Sequence, residues 1–309
     1  MRGARGGDGA MTTFSDLLRR HRSIRRYKPD AIPRALIDDV CADAVAGASS
    51  FGNLNSVSLV LTQDPERKRR LYELHGRQPM ILQAPLVVTF VADCYRTRRW
   101  LARGRARDNF NNLLGHHVAL CDAMIVAQNV CLAFEARGLG VCYMGSTLTA
   151  MRGIAAALAL PKTCAPITTL VVGYPDEAPA KRDRLPLDAI VHDEAYRTPT
   201  DAHIDASYAE RDRLAWARCT SSPANRARIA QLGIGSVAQW YSSELKYDPD
   251  RCRRDSDALL EFLVHRDFLR ADELRRPQPD AQKNPAEAGA REHHAPRRPR
   301  LIPAQGKSR

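Results

Sequence analysis

The segment HRSIRRY at residues 21–27 holds the densest group of side chains that could bind an anion. An arginine guanidinium binds a phosphate through two parallel hydrogen bonds, and a serine hydroxyl supplies a further donor. His21 and Arg22 come at the predicted end of a helix, so a chain that curves around a ligand is one interpretation. Taken alone, the segment is more simply a basic cluster that ends a helix and faces solvent.

Three later segments contain residue types that suit a polar ligand. SSFGNLN at 49–55 combines hydroxyls and amides with a glycine, which lets the backbone approach closely. YMGS at 143–146 follows a strand-like piece and offers backbone N–H groups. In KRDRLP at 181–186, Arg182 and Arg184 share one face of an extended chain and could form half of a phosphate clamp. An ordinary turn or a charged surface loop would explain each segment on its own.

The sequence lacks the motifs of several common catalytic sites, namely G-x-x-x-x-G-K-[ST], G-x-S-x-G and H-E-x-x-H. Its eight cysteines are scattered without a C-x-x-C pair or nearby histidines, so no metal site is expected. Cys121 and Cys131 fall inside apolar stretches, as small buried residues would. A site of arginines, serines and amides without a nucleophile or general base indicates that a bound cofactor carries out the chemistry.

The apolar pattern predicts mixed helices and short strands. Helices are expected at about 13–20, 33–47, 64–76, 114–137 and 151–159, strands at 57–62, 85–93 and 168–175, and a loop or short helix at 96–112. Because the strands and helices lack a regular βαβ spacing, the predicted fold class is α+β. The helix at 114–137 is apolar almost all round, which places it at the centre of the core or between two subunits.

Composition limits the domain boundaries and the partners. Residues 1–11 and 271–309 lack periodicity and are expected to be disordered, which leaves one domain at 12–270 with a helical excursion at about 205–270. The net charge of +12 would suit nucleic acid, but no basic stripe is interleaved with aromatic residues, so no specific nucleic-acid partner is expected. No apolar run reaches the roughly 18 residues of a membrane span. Without an apolar signal core either, the expected location is cytoplasmic.

Four segments of the chain, in this order and spacing, resemble motifs of the nitroreductase family of flavoproteins. They are HRSIR followed by an aromatic residue and a proline, SSFGNLN, DAMIVAQNVCLAFEARGLGVCYMGS and VVGYPDEAPAKRDRLPLDAIVHDEAY. The likeness spans about residues 12–197 and is nearest to the NADPH-dependent subgroup of major oxygen-insensitive nitroreductases and flavin reductases. It implies a central, mostly antiparallel sheet flanked by helices, in a homodimer of the domain-swapped type with FMN at the subunit interface.

The resemblance also assigns the residues that hold FMN. It places His21, Arg22 and Ser23 toward the phosphate and ribityl chain. It places Arg25 toward the pyrimidine edge of the ring, where a fixed guanidinium stabilises negative charge near N1. No side chain is implied to be catalytic. The other implied contacts are Ser49, Ser50 and Asn53 from the partner chain, Gln78 at the ribityl chain and ring, the backbone around Tyr143, Met144, Gly145 and Ser146 at the ring, and Arg182 and Arg184 at the phosphate.

The chain departs from the family pattern at a few positions. Ser49 stands where the loop motif has proline and Asn55 where it has glutamine, while Arg182 replaces a lysine and keeps the charge. The segment after 205 matches poorly. The candidates there for binding the NADPH 2′-phosphate are Arg218, Arg226 and Arg228.

Together these features predict an FMN-dependent NAD(P)H oxidoreductase with ping-pong kinetics. Hydride would pass from NADPH through N5 of FMN to a nitroaromatic, quinone or flavin acceptor. One alternative is a basic module that binds anions or nucleic acid. Another is a relative of the same fold with different flavin chemistry, such as a dehalogenase or a flavin-destroying enzyme.

Overall fold

A four-stranded antiparallel sheet forms the framework of the chain. The computed structural model describes residues 13–270, so the expectations for 1–11 and 271–309 lie outside the described residues. The strand order is β1–β2–β4–β3. The strands are β1 (Val57–Thr62), β2 (Leu86–Asp93), β3 (Gly140–Met144) and β4 (Cys164–Gly173).

The two central strands, β2 and β4, are buried along their whole length. Successive residues of a strand point to opposite faces of the sheet, so their side chains enter two separate apolar layers. Leu86, Val88 and Phe90 belong to one layer, and Val87 and Val171 belong to the other. Burial on both faces explains why these segments are nearly continuous apolar runs.

Helices cover both faces of this sheet. Residues of α2 and α6 pack in the first layer, and residues of α3 and α4 pack in the second. This arrangement confirms the predicted α+β class. The helices within the described residues are α1 (Phe14–Arg20), α2 (Arg34–Ala46), α3 (Pro65–Leu74), α4 (Met80–Gln83), α5 (Cys94–Arg103), α6 (Leu113–Ala136), α7 (Met151–Ala157), α8 (Asp201–Cys219), α9 (Pro223–Gln231), α10 (Val237–Tyr241) and α11 (Pro249–His265).

Helix α6, with 24 residues, is the helix expected at the centre of the core. Val126 and Phe134 are buried, whereas Leu114 is 68% exposed. Cys131 is buried as predicted, but the same prediction for Cys121 is wrong, because its side chain is exposed. The predicted absence of a membrane-length segment concerned only uninterrupted apolar runs, and none of these is long enough to span a membrane. By length and composition α6 could cross a membrane, and half of its most apolar window is buried inside the chain, as core helices also are.

The element bounds differ from the predicted ones in a few places. Helix α5 takes up the first part of the 96–112 segment. Strand β4 begins at Cys164 instead of near 168, and it continues through Pro166. The pairing register of β2 shifts between Phe90 and Val91, opposite this proline, which has no N–H to donate to a regular ladder. The strand-like piece before YMGS is β3, and the chain beyond 205 is helical, as predicted.

Candidate functional site

The HRSIRR segment runs beside the edge strand β3. Ser23 forms a parallel bridge with Val141, and the Ile24 N–H donates to the Val141 carbonyl at 2.9 Å. The approach is so close that a Cβ on Gly140 would lie 2.7 Å from Cγ1 of Ile24. Glycine at this position therefore lets the basic segment lie directly against the sheet.

Glu177 connects the basic segment to the chain that leaves β4. Its carboxylate accepts hydrogen bonds from the backbone N–H groups of Arg25 and Arg26. The carboxylate also lies 3.5 Å from the Arg26 guanidinium, whose side chain is 66% exposed. The Asp176 N–H donates to the Arg26 carbonyl at 3.0 Å. Glu177 thus fixes the backbone from which the Arg25 side chain extends.

Between these two segments lies a cleft of about 250 Å³, here called the cationic cleft. The Arg22 guanidinium donates to the Pro179 carbonyl at 3.3 Å, and the Lys181 ammonium donates to the Arg19 carbonyl at 2.6 Å. Because carbonyl groups carry no net charge, these contacts do not neutralise the cations. None of the described residues that line the cleft is acidic. They are His21, Arg22, Ser23, Arg25, Pro179, Ala180, Lys181, Arg182, Arg184 and Arg218.

Beside this cleft lies a larger space of about 470 Å³, here called the aromatic cavity. It shares Arg25, Arg182 and Arg218 with the cationic cleft. The Arg218 guanidinium lies 3.7 Å from the Asp183 carboxylate. Guanidinium and aromatic groups both stack on planar rings, so this lining suits a planar anionic ligand. The other lining residues are Asp183, Arg211, Ala215, Cys219, Asn225, Trp240, Tyr241 and Lys246.

The SSFGNLN segment is held by a buried aspartate of α6. Asp122 is 1% exposed. It accepts hydrogen bonds from the Ser50 hydroxyl at 2.7 Å, the Phe51 N–H at 3.1 Å and the Ser56 N–H at 2.9 Å. One carboxylate therefore holds both ends of the loop.

The same loop lies apart from the cationic cleft within one chain. Ser49, Ser50 and Asn55 line a different cavity, of about 300 Å³, next to β1 and α6. Asn53 and Asn55 have φ of 56° and 52°, in the left-handed region that asparagine tolerates better than most residues. The prediction that these residues reach FMN from a partner chain stays a prediction.

A second network lies at the turn after β3. Ser146 Oγ lies 2.9 Å from Nδ1 of His75 and accepts a hydrogen bond from Gln78 Nε2 at 3.3 Å. The same Gln78 nitrogen donates to the His75 carbonyl at 3.0 Å. A Cβ on Gly145 would meet nothing within 4 Å, so the turn is open on that side. Met144 is 1% exposed and packs in the core, which leaves its backbone, not its side chain, for a ligand.

This chain is similar to known proteins in both sequence and fold. The model of the family described as Nitroreductase family matches residues 18–174. This chain belongs to the nitroreductase family. The protein named FMN reductase (NADPH) from Bacillus subtilis (strain 168) is 32% identical over 195 residues, which cover 62% of this chain and 77% of that relative.

Solved structures align with most of this chain. A crystal structure from Bacteroides fragilis aligns with a TM-score of 0.74 and 33% identity, covering 82% of this chain and 99% of that one. The NfrA1 nitroreductase from Bacillus subtilis aligns with a TM-score of 0.65 and 25% identity, covering 82% of this chain and 98% of that one. The family predicted from the four motifs is therefore confirmed, and with it the nitroreductase fold.

The family motifs fall into three places in this nitroreductase-family chain. His21, Arg22, Ser23 and Arg25 meet Arg182 and Arg184 in the cationic cleft. Gln78 meets Ser146 at the turn after β3, while the SSFGNLN loop lies elsewhere. The assignment of FMN contacts to each of these residues stays a prediction.

Of the three arginines considered for NADPH, Arg218 lines both the cationic cleft and the aromatic cavity. Arg226 donates to the carbonyl groups of Thr220 and Ser221 at 2.7 Å and 3.1 Å. Arg228 pairs with Glu244. Neither Arg226 nor Arg228 lines the cationic cleft or the aromatic cavity. Arg218 is therefore the candidate that the geometry favours, although it is itself paired with Asp183.

His21 is oriented by a carboxylate on α6. Its Nδ1 lies 2.8 Å from Oε1 of Glu135, which is 11% exposed. The Sγ of Cys131 lies within 4.8 Å of both groups, a set of metal-ligand types that the sequence spacing did not predict. Burial raises the pKa of the Cys131 thiol to about 12, so the thiol stays protonated at neutral pH. The contact with Glu135 orients the imidazole of His21, which lines the cationic cleft.

Several residues of the site were not identified from the sequence, among them Lys181, Asp122, Glu177 and His75. Lys181 adjoins the predicted arginine pair and belongs to the same charged run, which was its only signal. Asp122 was detectable as a carboxylate in the middle of an apolar helix. Glu177 and His75 carry no comparable signal, because their partners are distant in sequence.

Proposed function

We propose that this chain is an FMN-dependent oxidoreductase that takes hydride from NADPH and delivers it to a small-molecule acceptor. The cationic cleft carries the proposal, since it gathers basic side chains from three separate parts of the chain, and none of the described residues around it is acidic. Such a cluster fits a phosphate group, for which arginine forms paired hydrogen bonds. The FMN and NADPH in the names of its relatives agree with this chemistry.

Each end of the cleft would hold a different part of FMN. The phosphate end comprises His21, Arg22 and Ser23 on one wall and Arg182 and Arg184 on the other. When bound, FMN supplies the atom that accepts and then gives up hydride. Arg25 lines both the cleft and the aromatic cavity, so its guanidinium would stabilise negative charge at the edge of the ring.

The aromatic cavity would receive the electron donor and then the acceptor. Arg218 would bind the 2′-phosphate of NADPH, in competition with Asp183 at 3.7 Å. Trp240 and Tyr241 would stack on a planar acceptor, and nitroaromatic compounds, quinones and free flavins are the proposed classes. Use of one cavity by both ligands in turn would give ping-pong kinetics.

A second copy of the chain would complete the site. Helix α6 exposes Leu114, Met124 and Ile125, which are 68%, 39% and 39% accessible in the single chain. A homodimer would cover this apolar surface. It would also bring the SSFGNLN loop of one subunit to the cleft of the other. The proposed location of this dimer is the cytoplasm.

Anaerobic absorption spectra of the full chain mixed with FMN test the function directly. The expected result is stoichiometric uptake of FMN, followed by bleaching of its visible bands on addition of NADPH. NADH is expected to bleach them more slowly, because it lacks the phosphate that Arg218 would bind. A chain that takes up no FMN, or whose bound FMN is reduced by neither nucleotide, would rule the proposal out.

Alanine variants of Arg25 and Arg22 should affect different steps. Arg25→Ala is expected to slow reduction of bound FMN about tenfold while it weakens binding less, because its charge acts at the ring edge. Arg22→Ala is expected to raise the FMN dissociation constant about tenfold with a smaller effect on reduction, since its contact is with the phosphate. Arg26→Ala is the control, because this side chain is largely exposed. Stopped-flow reduction and FMN titration measure the two quantities, and equal effects in both variants would contradict the division.

A further inference from the structure

His75 is a fully buried histidine to which the proposed function gives no role. It follows α3, and its side chain is 0% exposed. Its Nδ1 lies 2.9 Å from Ser146 Oγ, across a sequence separation of 71 residues. No hydrogen-bond partner for its Nε2 occurs among the described residues. The ring therefore makes one polar contact, and that contact is with the turn after β3.

The positions of the hydrogens shared by His75, Gln78 and Ser146 follow from the groups that can only accept or only donate a hydrogen bond. The His75 carbonyl can only accept, so the Gln78 side-chain atom 3.0 Å from it is the amide nitrogen. The same nitrogen lies 3.3 Å from Ser146 Oγ, which must then accept a hydrogen bond from Gln78. One lone pair of the Ser146 hydroxyl is thus in use before His75 is considered.

The protonation of His75 decides where the Ser146 hydrogen points. Burial lowers the pKa of His75 to about 4, so the ring is neutral at pH 7 and carries one hydrogen. With that hydrogen on Nε2, a buried N–H group would lack a partner, which is rare in folded proteins. With the hydrogen on Nδ1, the ring donates to Ser146 Oγ. Ser146 then accepts twice, and its own O–H is directed to neither residue.

The open side of the turn is where this O–H can find an acceptor. Ser146 is half-buried, and Gly145 before it is exposed with free space around its Cα. Residues 23–25 run parallel to β3 toward this turn, because Ser23 bridges Val141 in parallel. Burial raises the pKa of the Cys142 thiol, and Arg25 lies near enough to oppose part of that rise. The cationic cleft and the open side of the turn are therefore successive positions along one strand edge.

We propose that His75 is a positioning residue that donates from Nδ1 to Ser146 and thereby aims the Ser146 hydroxyl at an acceptor atom on the edge of the bound FMN ring. This inference rests on the proposed function. Gln78 supports the same arrangement from the other side of Ser146. A hydroxyl held in this way binds the ring edge without reorganisation, and neither His75 nor Gln78 needs to contact FMN for this effect.

The first measurement uses the full chain without FMN. Long-range ¹H–¹⁵N correlation spectra distinguish the two tautomers of a neutral imidazole, and the signals that disappear in His75→Phe identify this residue. The inference requires the hydrogen on Nδ1. A hydrogen on Nε2 would overturn it, whether or not the chain binds FMN.

The second measurement is a double-mutant cycle on the FMN dissociation constant. Ser146→Ala should weaken FMN binding about fivefold and shift the visible absorption bands of bound FMN, because a hydrogen bond to the ring is lost. His75→Phe should have an effect of similar size, and the double variant should be no weaker than either single one. Additive effects of the two substitutions, or no effect of Ser146→Ala, would overturn the inference. The proposed function would still stand in that case, provided that the unchanged chain takes up FMN.

The chain offers a matched control in His116. This residue is also buried, its pKa is also lowered to about 4 by burial, and it packs edge-on against Phe268 at 4.8 Å. His116→Phe should leave the FMN dissociation constant and the absorption bands unchanged. If His75→Phe does not fold, Ser146→Ala replaces it. The His75 signals of the unchanged chain are then identified by their shift in Ser146→Ala, and their tautomer is read as before. That tautomer and the effect of Ser146→Ala on FMN binding together decide the question.

Discussion

Replacing Asp122 with alanine will lower the free energy of unfolding by about 3–5 kcal/mol, because three donors that bond to this buried carboxylate would lose their acceptor. The carboxylate accepts from the Ser50 hydroxyl and from the N–H groups of Phe51 and Ser56. At 1% exposure, water cannot readily replace it. Urea denaturation of the chain without FMN measures the change.

Two further variants separate the acceptor from the charge. Asp122→Asn keeps one oxygen but turns an NH₂ group toward N–H and O–H donors, so a loss of about 1–3 kcal/mol is expected. Asp38→Ala removes an exposed carboxylate that pairs with Arg34 at 2.8 Å, and it should leave stability nearly unchanged. A similar, small effect of Asp122→Ala would show that the loop does not depend on this residue.

Local patterns were sufficient to predict most elements of the fold. Strands β2 and β4 are buried on both faces, and such strands are continuously apolar in any sequence that contains them. Helix α2 has proline at its start and glycine at its end, which mark helix boundaries through their backbone chemistry. The prediction was wrong for Cys121 because α6 is apolar on nearly every side. Such a helix has no polar stripe to show which face the core covers.

The candidate site could be predicted only in part, for a related reason. The basic segment and the arginine pair were visible because each is a local motif. Their juxtaposition depends on Glu177, which contacts Arg25 across a sequence separation of 152 residues. The pairing of His75 with Ser146 likewise depends on how α3 packs against the end of β3. No short-range pattern encodes such contacts, because they form only after the sheet and helices have assembled.

Glu177→Ala should lower the free energy of unfolding by about 2–3 kcal/mol, because the backbone N–H groups of Arg25 and Arg26 lose a charged acceptor. Glu177→Gln keeps an oxygen to accept one of these bonds, and a loss of about 1 kcal/mol is expected. Asp176→Ala is the adjacent control. This residue contacts Arg26 through its backbone and should tolerate the change. Urea denaturation without FMN again measures the three variants.

The same variants act on FMN binding through two effects of opposite sign. Removal of the negative charge beside the cationic cleft strengthens its attraction for a phosphate, whereas removal of the hydrogen bonds loosens the backbone that holds Arg25. Salt separates the two effects, because it screens the long-range effect of the charge but does not restore the position of the Arg25 backbone. Glu177→Gln should therefore bind FMN at least as tightly as the unchanged chain at low salt. Any gain in affinity should vanish at about 0.5 M salt, where the screening length falls to a few ångström. Glu177→Ala should bind FMN more weakly at every salt concentration. Equal affinities of the two variants at high salt would mean that Glu177 acts on the cleft through its charge and not by positioning Arg25.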